Sequence, residues 1–442
     1  MKQSRNILLL FFLLANYHFL FSQEVAQSAA TFDLQKVWQY TEDNYKKLAI
    51  IRLHAQDKQE NIKQTQSSRL PTVQLEGSYG KRSDLSLYED GFLHQPTVIP
   101  IRSTQYSTSL STDLVLYQGN QKNRQLQIQK VELASIETQL QQTTAEAKIE
   151  STKLFYALVL HLNYQELVEK EIAQDEKQLK DILSLYENGT ILKSDVLRAE
   201  VTLSNHNMLL KEIENNRVVV TQQLNLMMGR KDTDALLPQY ADLDQLPTLV
   251  SYEEHLNQAL LGAYSIQLAN QEIEKGALTL KQISSAVLPK LSLFADYGLN
   301  YPQNKTYPYA QALYHIGQVG LKLNIPISNL YHTKHQKNSQ QIVMLQQQIE
   351  KEQQQDQLKN ELQTYVVKYQ ESLDRIALAE KTIRQTTETL RIIRNSYFNQ
   401  QALLIDLLDA ETQVLQARFS LTSAKINAKI EYYQIQKITG IL

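Results

Sequence analysis

The sequence contains no cysteine. That excludes disulfides, a thiolate nucleophile, Cys-ligated zinc and a lipid-modified N-terminal Cys. Glycine and proline are scarce, 12 and 9 of 442 residues, so turns are few and the elements between them must be long. Neither charge sign dominates, with 45 Lys+Arg against 47 Asp+Glu, which gives no reason to expect nucleic acid as a partner. Beyond the N-terminus no apolar run is long enough for a transmembrane helix. Length alone would allow two or three ordinary domains.

The exception is the N-terminus. Lys2 and Arg5 precede an apolar run from Ile7 to Phe21, broken only at Asn16, Tyr17 and His18 and followed by Ser22-Gln23. A charged start, a run too short to span a bilayer comfortably and a small residue before a polar one read as a signal peptide over 1–22, with a membrane anchor as the other reading. The mature chain is expected to be exported.

What is present is a duplication. Tyr186, Asp195, Leu197 and Ala199-Glu200 recur as Tyr397, Asp406, Leu408 and Ala410-Glu411, each pair 211 residues apart. Earlier in the chain the lag is 218, as from Leu34 to Tyr252 and from Pro71 to Pro289. The seven-residue difference falls in a longer first strand loop, so the helical parts need no insertion. The period is far too long for a solenoid repeat and describes two copies of one half-molecule. Repeat 1 covers 23–229, a linker with Pro238 and Pro247 covers 230–250, and repeat 2 covers 251–442.

Each repeat opens with a helical pattern, Phe32 to Ser68 and 251–287, ended by Pro71 and Pro289. The period then falls to two. Val73, Leu75 and Tyr79 alternate with Gln74, Glu76 and Ser78, and the even positions from Tyr106 to Leu116 alternate with Ser107, Ser109, Ser111 and Asp113. Repeat 2 matches, with Leu291, Leu293, Ala295, Tyr297 and Leu299, then Val319, Leu321 and Leu323. Hairpins over 70–117 and 289–327 follow, with loops at 84–104 and 302–311. Long helices then run from Gly119 for about 65 residues, roughly 100 Å, and from about Tyr331 to Asn395. Each breaks at a tip, 184–195 and 395–406, before a second helix that Gly229 or Gly440 ends. Stripes such as Leu358, Leu362, Tyr365, Tyr369, Leu373 and Ile376 fit either a solid antiparallel coil or a hollow cylinder.

Four strands cannot make a membrane barrel alone, since bacterial barrels have at least eight. Their length nevertheless suits a tilted crossing, and one face is apolar. The two strand regions with their flanks, 70–117 and 289–331, are about a fifth of the chain yet hold 10 of its 24 Tyr, as aromatic girdles would. A soluble sandwich with ordinary strand tyrosines is the other reading. In lipid an open sheet edge is untenable, so closure would fall to other copies of the chain, three of which supply twelve strands.

The order helix, strand hairpin, long helix, tip, helix, twice over, resembles the TolC-type outer-membrane efflux proteins. Leu70-Pro71, Leu288-Pro289, Leu114-Val115-Leu116-Tyr117-Gln118-Gly119, Asn324-Ile325-Pro326-Ile327 and the two tip motifs are similar to that family's signatures. The resemblance covers nearly all of 32–440 and implies a mainly α fold with transmembrane β: a homotrimer closing a 12-stranded β-barrel in outer-membrane lipid and a long α-helical barrel in the periplasm of a Gram-negative cell. It also implies a periplasmic adaptor (membrane fusion) protein and an inner-membrane transporter of RND, ABC or MFS type, serving efflux or type I secretion. Members without a lipid anchor exist. Carried over by position, Asp195 and Tyr397 match residues linking neighbouring coils, and Asp406 and Asp409 match acidic rings at the constriction. The resemblance also implies that Asn188, Gly189, Thr190, Gln400 and Gln401 would form the tips that meet the adaptor. One position departs: Ala402 stands where a family member has an Arg, leaving Lys193 or Arg198 as replacements for that link.

Each Asp also has a plainer reading, a charge favourable to a helix N-terminus. No phosphate-binding Gly loop, Ser elbow or HExxH occurs, and His332 with His335 lacks carboxylate support. No enzyme, cofactor or metal is therefore expected. The rival from another class is a periplasmic coiled-coil scaffold or adaptor without a barrel.

Overall fold

The computed structural model describes residues 30–240, 243–302 and 310–442. The expected signal peptide, 1–22, and the middle of the loop at 302–311 lie outside them.

The half-molecule repeat is visible in backbone detail. In repeat 1, helix α1 (Leu34–Asn44) is capped by Asp33, whose side chain accepts from the Lys36 N–H. In repeat 2, α5 (Tyr252–Gly262) is capped by Ser251, which accepts from the Glu254 N–H. These caps are 218 residues apart, and both satisfy an N–H that the helix itself leaves unpaired. What the sequence reads as one helix per repeat is two. The chain breaks at Tyr45 (ψ 118°) before α2 (Lys46–Ser67) and at Ala263 (ψ 129°) before α6 (Tyr264–Ser285). The breaks are again 218 apart. Neither carries proline or glycine at the extended residue, so the hydrophobic period runs across without a signal.

The chain divides into two compact units. One holds the residues to Lys46, Glu146–Leu249 and Tyr365–Gln434; the other holds Lys47–Ala145, Val250–Thr364 and Ile435–Leu442. The first unit's core gathers Phe32, Val37, Phe155, Tyr156, Leu158, Val159, Leu224, Met228, Leu236 and Ile426. Beside it the Trp38 indole N–H donates to Thr152 Oγ1 at 2.9 Å. The expected linker is partly ordered here. Strand β1 (Ala30–Phe32) pairs in parallel with Leu236–Pro238, labelled β6 in chain order. Lys429, itself buried, donates to the Gln245 carbonyl at 3.0 Å.

In the second unit β2 (Thr72–Lys81), β5 (Thr104–Gln118), β7 (Lys290–Tyr301) and β8 (Tyr314–Asn324) form one antiparallel sheet in the order β2-β5-β7-β8. The loop expected at 84–104 contains a further small hairpin, β3 (Leu85–Leu87) with β4 (Thr97–Ile99). Its three-residue strands are too short to show a period.

Register decides what the sheet presents. Opposite residues share a face, so the pairs Leu75–Leu110, Leu110–Tyr297, Leu114–Leu293 and Leu293–Leu321 build one continuous apolar surface. Leu75 is 74 % exposed and Val319 73 %, so this surface is bare among the described residues. The pairs Gln74–Ser111, Ser111–Asp296 and Asp296–Gln318 build a polar opposite face. There Ser78 and Ser107 share a hydrogen bond of 2.7 Å, and Gln318 donates to Asp296 at 3.1 Å. Tyr106 stacks on its register partner Tyr301 with ring centroids 4.8 Å apart, at the end nearest the hairpin loops.

The remaining elements are the helices α3 (Gln121–Glu187, 67 residues), α4 (Lys193–Met227), α7 (Asn329–Phe398, 70 residues) and α8 (Leu404–Ile438). At 1.5 Å per residue α3 and α7 are each about 100 Å long. Along α7 the predicted stripe is the shielded side: Leu358, Leu362 and Tyr369 are buried, and Tyr365, Leu373 and Ile376 are half-buried. No helix of the described residues is long and apolar enough to cross a membrane.

Candidate functional site at the helical tips

Both tips use the same turn. The Gly189 N–H reaches the Tyr186 carbonyl at 2.9 Å and the Thr190 N–H reaches Leu185 at 3.0 Å. In the second tip Gln400 reaches Tyr397 at 2.9 Å and Gln401 reaches Ser396 at 2.7 Å. This is the bond pattern that closes a helix through one left-handed residue. The turn demands it of Gly189 (φ 72°) and equally of Gln400 (φ 61°). Asn188, Gly189, Thr190, Gln400 and Gln401 are all exposed, and the Thr190 hydroxyl donates to the Leu185 carbonyl at 2.6 Å.

Asp195 and Asp406 both occupy the third position of a helix, in α4 and α8. The Asp406 carboxylate accepts from the Leu403 N–H at 3.2 Å, the backward half of a capping box. Asp406 and Asp409 are exposed and Asp195 half-exposed, so the three carboxylates remain available to solvent or a neighbour.

Tyr397 is placed differently from its repeat mate. Tyr186 is 40 % exposed, whereas Tyr397 is 7 % exposed. It sits in an apolar cluster with Ile182, Val196, Ala199, Leu404 and Leu407, which joins the two hairpins near their tips. Its hydroxyl is enclosed and finds no hydrogen-bond partner among the described residues. Burial first, and then the charge of Asp195, pushes its pKa up, so it stays a neutral phenol. Ala402 packs against this cluster and can supply no cation. Lys193 and Arg198 are exposed.

The arginine that joins elements near the tip is Arg394, which sequence reasoning did not single out. Its guanidinium lies 2.8 Å from Glu411, a carboxylate only 3 % exposed on the side chain. Glu411 also accepts from Gln174 at 3.2 Å and Gln178 at 3.3 Å, both on α3. Beside them buried Asp175 meets His206 Nδ1 of α4 at 2.6 Å. Burial raises the pKa of Glu411, opposed by its bond to Arg394. Burial likewise raises Glu171, reinforced by the charges of Glu411 and Asp175. The hydrogen bond to Asp175 raises His206 against the effect of its burial. The available signal was Glu411 itself, a member of the duplicated Ala-Glu pair, with Leu407 and Leu408 one helix turn before it and Val414 and Leu415 one turn after. Among the described residues no group of three or more His, Asp or Glu is arranged to hold a metal ion.

A strand sheet with one bare apolar face, carried on a chain of long helical hairpins, defines a membrane-embedded duct component of mixed strand and coil. The profile of the outer membrane efflux protein family matches residues 39–230 and 255–441, and the chain belongs to that family. It is therefore an outer-membrane efflux protein extending into the periplasm, and not an enzyme; the reading as a soluble scaffold falls. Comparison with curated protein sequences finds no significant match. Among solved structures, the Vibrio cholerae outer membrane protein VceC is 16 % identical, with 92 % of this chain and 96 % of that one covered and a TM-score of 0.74. The Campylobacter jejuni outer membrane channel CmeC is 14 % identical, with 92 % and 85 % covered and a TM-score of 0.76. The open Neisseria gonorrhoeae channel MtrE is 13 % identical, with 92 % and 89 % covered and a TM-score of 0.73.

Proposed function

We propose that three copies of this chain close a twelve-stranded barrel and form the exit duct of a tripartite efflux or type I secretion system, gated at the helical tips. The observation that carries this is the four-stranded sheet. Its apolar face is continuous across all four strands in register, and the outer edges of β2 and β8 have no strand partner among the described residues. Edges cannot stay open in lipid, so β8 of one copy would pair with β2 of the next. Strands of 10 to 15 residues tilted by about 45° match a thickness of roughly 25 Å.

At the helical tips, Asp406 and Asp409 would present carboxylates around a narrow axis, drawing cations and hindering anions. Asp195 and Tyr397 would brace neighbouring hairpins, and the exposed turns at Asn188–Thr190 and Gln400–Gln401 would meet a periplasmic adaptor linked to an inner-membrane transporter. With Ala402 at the departing position, the tip link would rest on other residues. Purified protein in planar bilayers tests this. A duct gives discrete conductance steps, and Asp406→Ala with Asp409→Ala weakens cation preference and cation block. Conductance indifferent to both substitutions would remove the aspartates from the constriction.

A further inference from the structure

The tips are held together by two different devices. One is the apolar cluster around Tyr397. The other, deeper in the hairpins, is the carboxylate of Glu411, and nothing in the duct reading above uses it.

Glu411 lies on α8 of the second hairpin and takes hydrogen bonds from Gln174 and Gln178 of α3, in the first. One carboxylate therefore ties the two hairpins across their interface. Its charge is matched by Arg394 of α7, from its own hairpin. The groups facing this node are Glu171 and Asp175 from α3, His206 from α4, Arg394 from α7, and Arg418 from α8 beside Glu171. Three acids thus crowd a partly buried site with two arginines and one imidazole. The repeat does not supply the arrangement twice: 211 residues away, Arg394 corresponds to Leu183, Asp175 to Thr386, Glu171 to Thr382 and His206 to Ala417. It belongs to one side of the pseudo-repeat, the side that also buries Tyr397.

We propose that this node is a proton-sensitive clasp between the two hairpins: protons hold them together, and their loss lets them part. The proposal deepens the duct reading, since it rests on the tips acting as a gate. The geometry gives the reason. A clasp with three carboxyls loses mutual repulsion each time one is neutral, and a charged His206 adds a cation beside Asp175. The shifts agree in sign. Glu171, Glu411 and His206 all have pKa values above their ordinary ones in the packed state. Parting the hairpins would admit water and return them toward those ordinary values. The joined state therefore binds more protons, its advantage is complete at low pH, and it is lost as pH rises through the raised values. Each proton so linked changes the joined-to-parted ratio by up to about tenfold per pH unit.

The absence of cysteine makes the test direct. Leu192 and Leu403 are 71 % and 69 % exposed, one at each tip, and Leu192→Cys with Leu403→Cys would carry a spin-label pair. Labelled full-length chains, diluted into unlabelled ones and assembled in lipid nanodiscs, are measured by pulsed dipolar spectroscopy from acid to alkaline pH. The separation is expected to widen as pH rises. Glu411→Gln, a neutral acid's shape without its titration, should keep the hairpins joined and remove most of the pH slope. His206→Gln should remove part of it near and above neutral pH. A separation indifferent to pH overturns the proposal, as does a slope that survives Glu411→Gln unchanged. Conductance recorded on the same variants separates this from the duct reading. If spacing follows pH and conductance does not, the clasp stands and the gate does not.

Discussion

Gly189 and Gln400 occupy the same left-handed position of the same turn, 211 residues apart, at φ 72° and 61°. Only one of them is glycine. A side chain in this region costs about 1–2 kcal/mol, partly offset by the smaller entropy that a non-glycine residue loses on folding. Gln400→Gly is therefore expected to stabilise the second tip by roughly 0.5–1 kcal/mol, read as a higher denaturant midpoint or slower proteolysis at the tip. Gly189→Gln should cost about the same in the first.

Two other glycines carry a heavier constraint. A Cβ on Gly229 would lie 2.5 Å from the Asn44 Cβ, and one on Gly440 would lie 2.5 Å from the Gly262 carbonyl oxygen. Both also have positive φ, 68° and 73°. A Cβ on Gly189 would meet nothing within 4 Å. Alanine at 229 or 440 should thus cost more than alanine at 189, about 2–3 kcal/mol against about 1, in thermal unfolding of the assembled protein.

The sheet's faces predict opposite tolerances. Leu75→Arg or Leu321→Arg puts a charge on the apolar face and should oppose insertion by about 2–4 kcal/mol where the position lies near mid-membrane. Gln74→Lys, on the polar face, should be accepted. The amount of assembled protein in outer-membrane fractions checks both.

Asp406 and Asp409 should differ in stability even where they agree in conductance. Asp406 closes a bond to the Leu403 N–H and Asp409 makes none among the described residues. Asp406→Ala is expected to cost about 0.5–1 kcal/mol and Asp409→Ala nearly nothing, measured by denaturant unfolding.

Arg394→Met would leave Glu411 buried without its cation. Removing one partner of a buried pair costs about 3–5 kcal/mol, less here because Arg394 remains a third exposed. The loss should be largest at neutral pH and above, and should shrink in acid as Glu411 takes up a proton. Melting temperature against pH for the variant and parent reads the difference directly.

Much of this fold was legible because its signals are long. The strand alternation, the 211- and 218-residue lags and the glycine ends at 229 and 440 each correspond to an element or cap in the structure. The breaks at Tyr45 and Ala263 were not legible, since both residues are tolerated within helices and carry no breaking signal. The order β2-β5-β7-β8 joins the two hairpins through β5 and β7, a non-local choice with no local mark. At the tips, turn residues and exposed aspartates could be placed by position. The Glu411 node could not, because a polar residue on a helix reads as surface until the helices facing it are known. Tyr397 shows the same limit: it and Tyr186 hold matching places in the repeat, and their packing differs.

The unpaired edges of β2 and β8 have a bearing on how such a protein is made. A newly exported chain carries a sheet whose backbone donors and acceptors on two sides are satisfied by water alone, beside a face that water disfavours. It cannot enter lipid singly without stranding those groups, and it cannot linger in solution without offering them to any passing strand. Folding of the helices and completion of the sheet are thus separate events in time. With the barrel closed between copies as proposed, the second is bimolecular or higher in order, set by how many copies arrive together rather than by anything one chain can do alone.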